Sequence, residues 1–130
     1  MIALDTNVLV RIATNDDKMQ AQRALRALQS ERAFVPRTVI LETAWVLRHA
    51  YGLDDATIGR TLSTLAGIPS VEIESRGDVL RALAWHARGM DIADALHLAS
   101  SGAASAFVSF DRPLAKVARK LRTRPGVREP

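Results

Sequence analysis

Short apolar runs alternate along the chain with longer stretches in which apolar residues recur every three or four positions. Continuous short runs are typical of buried strands, and the longer periodic stretches are typical of helices. The predicted strands are Ile2–Leu4, Ala33–Val35, Val71–Ile73 and Ala106–Phe110, and the predicted helices cover 15–30, 37–51, 54–66, 78–87, 91–101 and 112–121. Strands that alternate with helices form βαβ units. We therefore predict an α/β fold, a three-layer α/β/α domain with a short, mainly parallel sheet of about four or five strands.

The alternation continues without a break that would indicate a second domain. The sequence contains no repeat, low-complexity tract or linker, and 130 residues is an ordinary length for one domain. We predict a single domain over residues 1–130, in which residues 122–130 form a basic C-terminal tail. In open α/β sheets the functional crevice lies beyond the carboxyl ends of the strands. Residues that directly follow the strands are therefore the first candidates for a site.

Two aspartates directly follow predicted strands. Asp5 ends the first apolar run and precedes Thr6 and Asn7, which can open a helix, and Asp111 ends the fourth run before another helix. Aspartate is also a favoured N-cap, so either residue could simply accept hydrogen bonds from amides at a helix start. The pattern leaves both interpretations open.

Three further acids lie in predicted helices. Glu42 is surrounded by apolar residues in RTVILETAWVL, where a buried ionised carboxylate would need a cation or a proton. The alternative is a solvated stripe on which Glu42 pairs with Arg37 or Arg48. Asp91 and Asp94 are three residues apart in GMDIADALHLAS and would share a helix face. They could equally form a variant capping box at the start of that helix.

Together these acids indicate a metal site made of oxygen ligands. Carboxylates suit hard cations, so Mg²⁺ or Mn²⁺ is expected rather than Zn²⁺. The chain has no cysteine, and His49, His86 and His97 lack metal-ligand spacing. There is also no phosphate-binding glycine loop, nucleophile elbow or dinucleotide fingerprint. The predicted chemistry is attack by metal-activated water on a phosphate.

The charge of the chain favours a polyanionic partner. The formal net charge is +4 and the sequence pI is about 10.3. Residues 112–130 carry seven basic side chains and a single acid, Glu129. Aromatic residues make up only 5 %, so contacts with a nucleic-acid backbone are expected to dominate over base stacking.

The remaining sequence features predict a cytoplasmic protein. The opening MIALDTNVLV carries Asp5 inside an apolar stretch and has no basic region before it, unlike a signal peptide. No apolar run approaches the roughly 20 residues that span a bilayer, so no membrane association is expected. The lack of cysteine agrees with a reducing compartment.

Four segments resemble the PIN-domain ribonucleases, and in particular the VapC-type toxins of type II toxin–antitoxin pairs. They are LDTNVLVR (4–11), the RTVILETAWVL helix, DIADALHLA (91–99) and VSFDRPLAK (108–116). The resemblance covers essentially the whole chain. It implies a Mg²⁺- or Mn²⁺-dependent endoribonuclease that is the toxin of such a pair.

The resemblance also implies a role for individual residues and partners. The four catalytic carboxylates would be Asp5, Glu42, Asp94 and Asp111, with Asp5 and Asp94 as the metal ligands. Auxiliary roles would fall to Asp91, Thr6, Asn7 and Ser109. The candidates for contact with the RNA backbone are Arg11, Lys116 and Arg119, for which a solvated surface is the alternative. The implied partners are an RNA substrate, a small VapB-like antitoxin that inhibits the enzyme, and a second copy in a homodimer.

Two other functions fit the same residues. A non-catalytic RNA-binding or regulatory module would bind RNA regardless of Mg²⁺ and of an Asp5→Asn change. A small-molecule phosphatase would also use acids at strand ends, but the chain lacks a phosphate-cradling loop and a substrate-capping insertion. Cleavage that needs an RNA chain would separate the ribonuclease from both.

Overall fold

Each predicted apolar run forms a strand in the computed structural model, which describes all 130 residues. The chain divides into two compact units, Met1–Arg76 and Gly77–Pro130. Seven helices and five strands alternate along them. None of these helices combines the length and the apolarity that crossing a lipid bilayer requires.

The first unit is built on three parallel strands. Its elements are β1 (Ile2–Ala3), α1 (Thr6–Thr14), α2 (Lys18–Ser30), β2 (Ala33–Val35), α3 (Arg37–His49), α4 (Asp55–Ala66) and β3 (Val71–Ile73). The strand order is β1-β2-β3, with Ala33 of the central strand opposite Ile2 and Val71. Helix α1 packs on α2 and α3, and α4 packs on α3 and β3. The buried core includes Leu9, Val35, Ile40, Leu47, Ile58 and Leu62.

The second unit carries the remaining helices and a two-stranded parallel sheet. Its elements are α5 (Arg76–Ala87), α6 (Ile92–Ala99), β4 (Ala106–Val108), α7 (Arg112–Leu121) and β5 (Gly126–Arg128). Strand β5 pairs with β4, with Val127 opposite Phe107, and α7 packs against β5. The segment expected to be a basic tail therefore contains a strand.

The predicted α/β class and its parallel pairing are confirmed. The five strands are distributed over two sheets, of three and two strands, where the sequence suggests a single sheet. Each strand is only two or three residues long and therefore forms few ladder hydrogen bonds. Helix α2 begins at Lys18 rather than at residue 15, because the Asp17 side chain accepts a hydrogen bond from the Gln20 amide and caps the helix there.

Helix α3 shows which of its many apolar residues form the core. Ile40, Ala44 and Leu47 are buried on one side, as a period of 3.6 residues requires. Trp45 lies off this stripe and is 61 % exposed. Its ring lies 4.6 Å from that of His49, one turn further along the helix.

We predict that Leu47→Ala and Trp45→Ala differ strongly in their effect on stability. Leu47 is fully buried, so its truncation removes apolar contacts and leaves a cavity, at a cost of about 2–5 kcal/mol in the free energy of unfolding. Trp45→Ala should change that free energy by roughly 1 kcal/mol or less, because most of its surface is already in water. Urea unfolding of both variants measures the difference. Equal losses would mean that α3 turns a different face to the core.

Candidate active site

Asp5 stands where β1 leads into α1 and caps that helix with one carboxylate oxygen. Its Oδ1 accepts a hydrogen bond from the Thr6 amide at 2.8 Å, and its carbonyl accepts one from the Val8 amide at 3.1 Å. N-cap side chains ordinarily accept a hydrogen bond from the second or third helical amide, whereas Asp5 accepts one from the first. Its side chain is exposed, and its second oxygen accepts no hydrogen bond within the chain.

Thr6 places an unsatisfied hydroxyl beside Asp5. The residue is 6 % exposed, and its Oγ1 has no hydrogen-bond partner. A buried polar group left without a partner costs about 1–3 kcal/mol. The fold therefore keeps a polar oxygen next to Asp5 that lacks a partner in the protein itself. Asn7, the other auxiliary residue of this segment, is exposed.

Glu42 is exposed on α3, so the argument from burial that suggested a bound cation does not apply to it. The two arginines proposed as its alternative partners pair with other acids. Arg37 Nε lies 3.3 Å from Glu74 Oε2, and Arg48 pairs with Asp55. Glu42 is therefore a solvated carboxylate, and its catalytic role stays a prediction.

In the second unit, Asp91 and Asp94 occupy the first turn of α6. Asp91 is the N-cap, and its Oδ2 accepts a hydrogen bond from the Asp94 amide at 3.1 Å. The capping arrangement anticipated for this pair is therefore present. It also holds Asp94 one turn into the helix, where its side chain is partly buried.

Asp94 lies among other negative charges. Burial raises the pKa of Asp94 above its ordinary value, and the carboxylates of Asp91 and Asp111 raise it further. His97, one turn along α6, acts in the opposite direction. The structure thus brings three of the predicted acids together electrostatically. A cation at Asp94 would relieve both the repulsion and the desolvation.

Asp111 repeats the capping arrangement at the start of α7. Its Oδ1 accepts a hydrogen bond from the Leu114 amide at 2.9 Å, and its second oxygen accepts none. Ser109 holds the backbone here, because its Oγ accepts from the Asp111 amide at 3.0 Å and its own amide donates to the Arg128 carbonyl at 3.0 Å. Ser109 is therefore a positioning residue for Asp111.

The donor set fits a hydrated hard cation. No three His, Asp or Glu side chains are arranged to hold one metal ion together. Mg²⁺ commonly uses only one or two carboxylates and keeps several waters. Exposed Asp5, and Asp94 with its neighbouring acids, each match that pattern.

The three basic residues predicted to contact RNA have different surroundings. Arg11 is engaged within the first unit: its Nε donates to Gln20 at 2.7 Å, and its Nη1 lies 3.2 Å from both Asp16 and the Tyr51 hydroxyl. Binding a phosphate would therefore compete with these contacts. Lys116 and Arg119 are exposed on α7 and form no ion pair.

Comparison with known protein families identifies the family to which this fold belongs. The PIN domain family model matches residues 2–120, which span both compact units. The chain belongs to the PIN domain family. PIN domains are generally metal-dependent nucleases, and seven helices with small parallel sheets are consistent with their three-layer α/β/α fold. No curated protein matches the chain significantly.

Two features of the second unit could hardly be predicted from the sequence. Strand β5 contains only one apolar residue, Val127, between Gly126 and Arg128. The same segment supplies Glu129, whose Oε1 lies 3.2 Å from Arg112 Nε. The basic residues at positions 112, 116 and 119 recur at helical spacing and were the signal in the sequence that one face of α7 is charged.

We predict that Asp94→Asn stabilises the metal-free protein at neutral pH. Because burial and the neighbouring Asp91 and Asp111 raise the pKa of Asp94 in the folded protein above its ordinary value of 3.8, ionisation of Asp94 weakens the fold as pH rises through the raised pKa. The stabilisation should therefore be largest near pH 7 and vanish below pH 3.8, where Asp94 is protonated in both states. Thermal unfolding in EDTA across this pH range measures it.

Asp16→Asn is a control for which we expect the opposite change in stability. Hydrogen bonds from Tyr51 and Thr14, with the charge of Arg11, lower the pKa of Asp16, so its ionised form stabilises the fold above pH 3.8. This substitution should lower the melting temperature at pH 7 and have little effect in acid. Destabilisation by Asp94→Asn at pH 7 would contradict the electrostatic account of the acid cluster.

Proposed function

We propose that this PIN domain is a Mg²⁺- or Mn²⁺-dependent endoribonuclease. The observation that carries the proposal is the placement of Asp91 and Asp94 in the first turn of α6 and of Asp111 at the start of α7, where Asp91 and Asp111 raise the pKa of Asp94, in a chain of this family. The net charge of +4 supports an RNA substrate, because phosphates would be attracted to the protein as a whole.

In this proposal Asp5 and Asp94 hold the metal, while Glu42 and Asp111 complete the acidic surroundings. A bound divalent cation would activate water and offset negative charge on the phosphate. The carboxylates set position and charge and do not act as nucleophiles. The Leu114 amide binds Asp111 Oδ1, and Ser109 holds the Asp111 backbone, so the second carboxylate oxygen stays available for the metal.

We further propose that the protein is the VapC-like toxin of a type II toxin–antitoxin pair and acts in the cytoplasm. A small VapB-like antitoxin would inhibit it by placing an arginine among the carboxylates, where it would displace the metal. Exposed Trp45 on α3 supports a contact with a second copy in a homodimer. Rescue of growth by co-expression of the neighbouring small reading frame tests the toxin role.

A non-catalytic RNA-binding module is the second candidate. It is favoured by the absence of any three His, Asp or Glu side chains in metal-holding geometry. Such a module would bind RNA equally well in Mg²⁺ and in EDTA and would leave it intact.

Cleavage of total bacterial RNA by the purified protein separates these candidates. We predict cleavage in Mg²⁺ or Mn²⁺ that EDTA abolishes. Asp94→Asn and Asp111→Asn should each lower the rate by about 100-fold or more, because each removes a preorganised charge from the site. If Asp5 serves the same reaction, Asp5→Asn combined with Asp94→Asn should be little worse than either alone.

Asp54→Asn provides a matched control for Asp111→Asn. Both aspartates are N-caps that accept a hydrogen bond from the third helical amide, at 2.8 Å from Thr57 for Asp54 and at 2.9 Å from Leu114 for Asp111. Asparagine caps a helix about as well as aspartate, so Asp54→Asn should keep the rate within about twofold. Intact RNA under every condition, or equal effects of the two substitutions, would contradict the nuclease proposal.

A further inference from the structure

Helix α7 and strand β5 enclose a surface groove of about 560 Å³ in the second unit. Its floor is apolar and shallow, formed by the half-buried Ala115 and Val127. Its rim is charged, and the side chains on it are Arg112, Lys116 and Arg119 of α7 with Arg128 and Glu129 at β5. We call it the α7 groove.

The amphipathic pattern of α7 produces this rim. Leu114, Ala118 and Leu121 are buried, which leaves the opposite face of the helix to the basic residues. Arg112, Lys116 and Arg119 are spaced by four and three positions and so lie on one side. At 1.5 Å per residue they are separated by about 6 and 4.5 Å along the helix axis. Such a row can contact successive phosphates of one strand.

Of the four basic side chains on the rim, only Arg112 forms an ion pair inside the protein. Arg112 pairs with Glu129 at 3.2 Å, and Arg128 Nη1 donates to the Glu129 carbonyl at 3.0 Å. Lys116 and Arg119 form no ion pair. Glu129 is the single acid on the groove, so the rim has a net positive charge.

The groove leads along α7 to the acid that begins the same helix. Asp111 is the N-cap of α7, immediately before Arg112. Phe110 precedes Asp111 and is 81 % exposed, although a large aromatic ring gains from burial. An exposed ring next to a row of cations is the combination with which proteins bind single-stranded nucleic acid, where a base stacks on the ring.

We propose that the α7 groove binds the phosphate backbone of single-stranded RNA and that Phe110 stacks on a base beside Asp111. The inference rests on the proposed function, from which it takes RNA as the substrate. It adds the position of the RNA strand on the protein and the contacts that hold it. The contacts are to backbone and to a base face, so they carry little sequence preference. The aromatic ring favours RNA over an acidic protein segment as the occupant.

The test is the salt dependence of binding. A fluorescent single-stranded oligouridylate is titrated with the full-length protein in EDTA at several KCl concentrations, and its integrity is checked afterwards on a gel. Lys116→Ala combined with Arg119→Ala should weaken binding and reduce the slope of log K against log[KCl] by about 1.4, since each phosphate contact on a single strand contributes about 0.7.

Two control variants distinguish binding in the α7 groove from attraction of RNA to the overall charge of the protein. Arg23→Ala combined with Arg26→Ala removes the same two charges from the exposed face of α2 and should leave the slope unchanged. Phe110→Ala should weaken binding by about tenfold with an unchanged slope, because stacking releases no counterions. Met19→Ala, which removes an exposed apolar side chain from α2, should leave the affinity unchanged.

The results distinguish this proposal from the nuclease proposal. Binding that depends on the groove, in a protein that never cleaves RNA, would support the groove and contradict only the nuclease. Cleavage-competent protein in which the α7 and α2 variants have equal slopes, or in which Phe110→Ala binds as tightly as wild type, would overturn the groove while the nuclease stands.

Discussion

Capping of helices by aspartate is the interaction on which the candidate site depends. Asp5, Asp91 and Asp111 each commit one carboxylate oxygen to an amide at the start of α1, α6 or α7. The backbone thereby fixes the side chain, and for Asp5 and Asp111 the second oxygen accepts no hydrogen bond within the chain. Capping and metal binding are therefore compatible roles of one carboxylate. The structural role supplies the rigidity that a catalytic ligand needs.

The site is held at an electrostatic cost to the fold. Burial and the neighbouring Asp91 and Asp111 make ionisation of Asp94 unfavourable, and the Thr6 hydroxyl is buried without a partner. Elsewhere the same residue type is stabilising, as at Asp16, where Tyr51 and Arg11 favour the charged form. A cation bound at Asp94 would relieve the unfavourable ionisation that the neighbouring acids cause. Helix α7 carries charges of both signs, with the acid Asp111 at its start and basic residues along its exposed face.

The elements with strong local patterns could be predicted from sequence, and those that depend on distant partners could not. Short apolar or β-branched runs identified four strands, whereas β5 has a single apolar residue, Val127, and pairs with β4. Motifs identified the acids, but only the coordinates show which oxygen each acid commits to an amide. The sequence left the exposure of Glu42 open, because apolar residues surround it in sequence while α3 buries a single face. Arg11 was predicted to contact RNA, whereas in the structure its side chain contacts the Tyr51 hydroxyl. The sequence did not reveal this contact, because the two residues are 40 positions apart.

Mn²⁺ binding followed by electron paramagnetic resonance tests most directly whether the acid cluster around Asp94 binds a divalent cation. Free Mn²⁺ is titrated with wild type, with Asp94→Asn, and with Asp54→Asn, whose aspartate caps α4 outside the acid cluster. The account predicts that wild type and Asp54→Asn bind Mn²⁺ alike, and that Asp94→Asn binds it at least about 10-fold more weakly. Equal binding by all three proteins would contradict it.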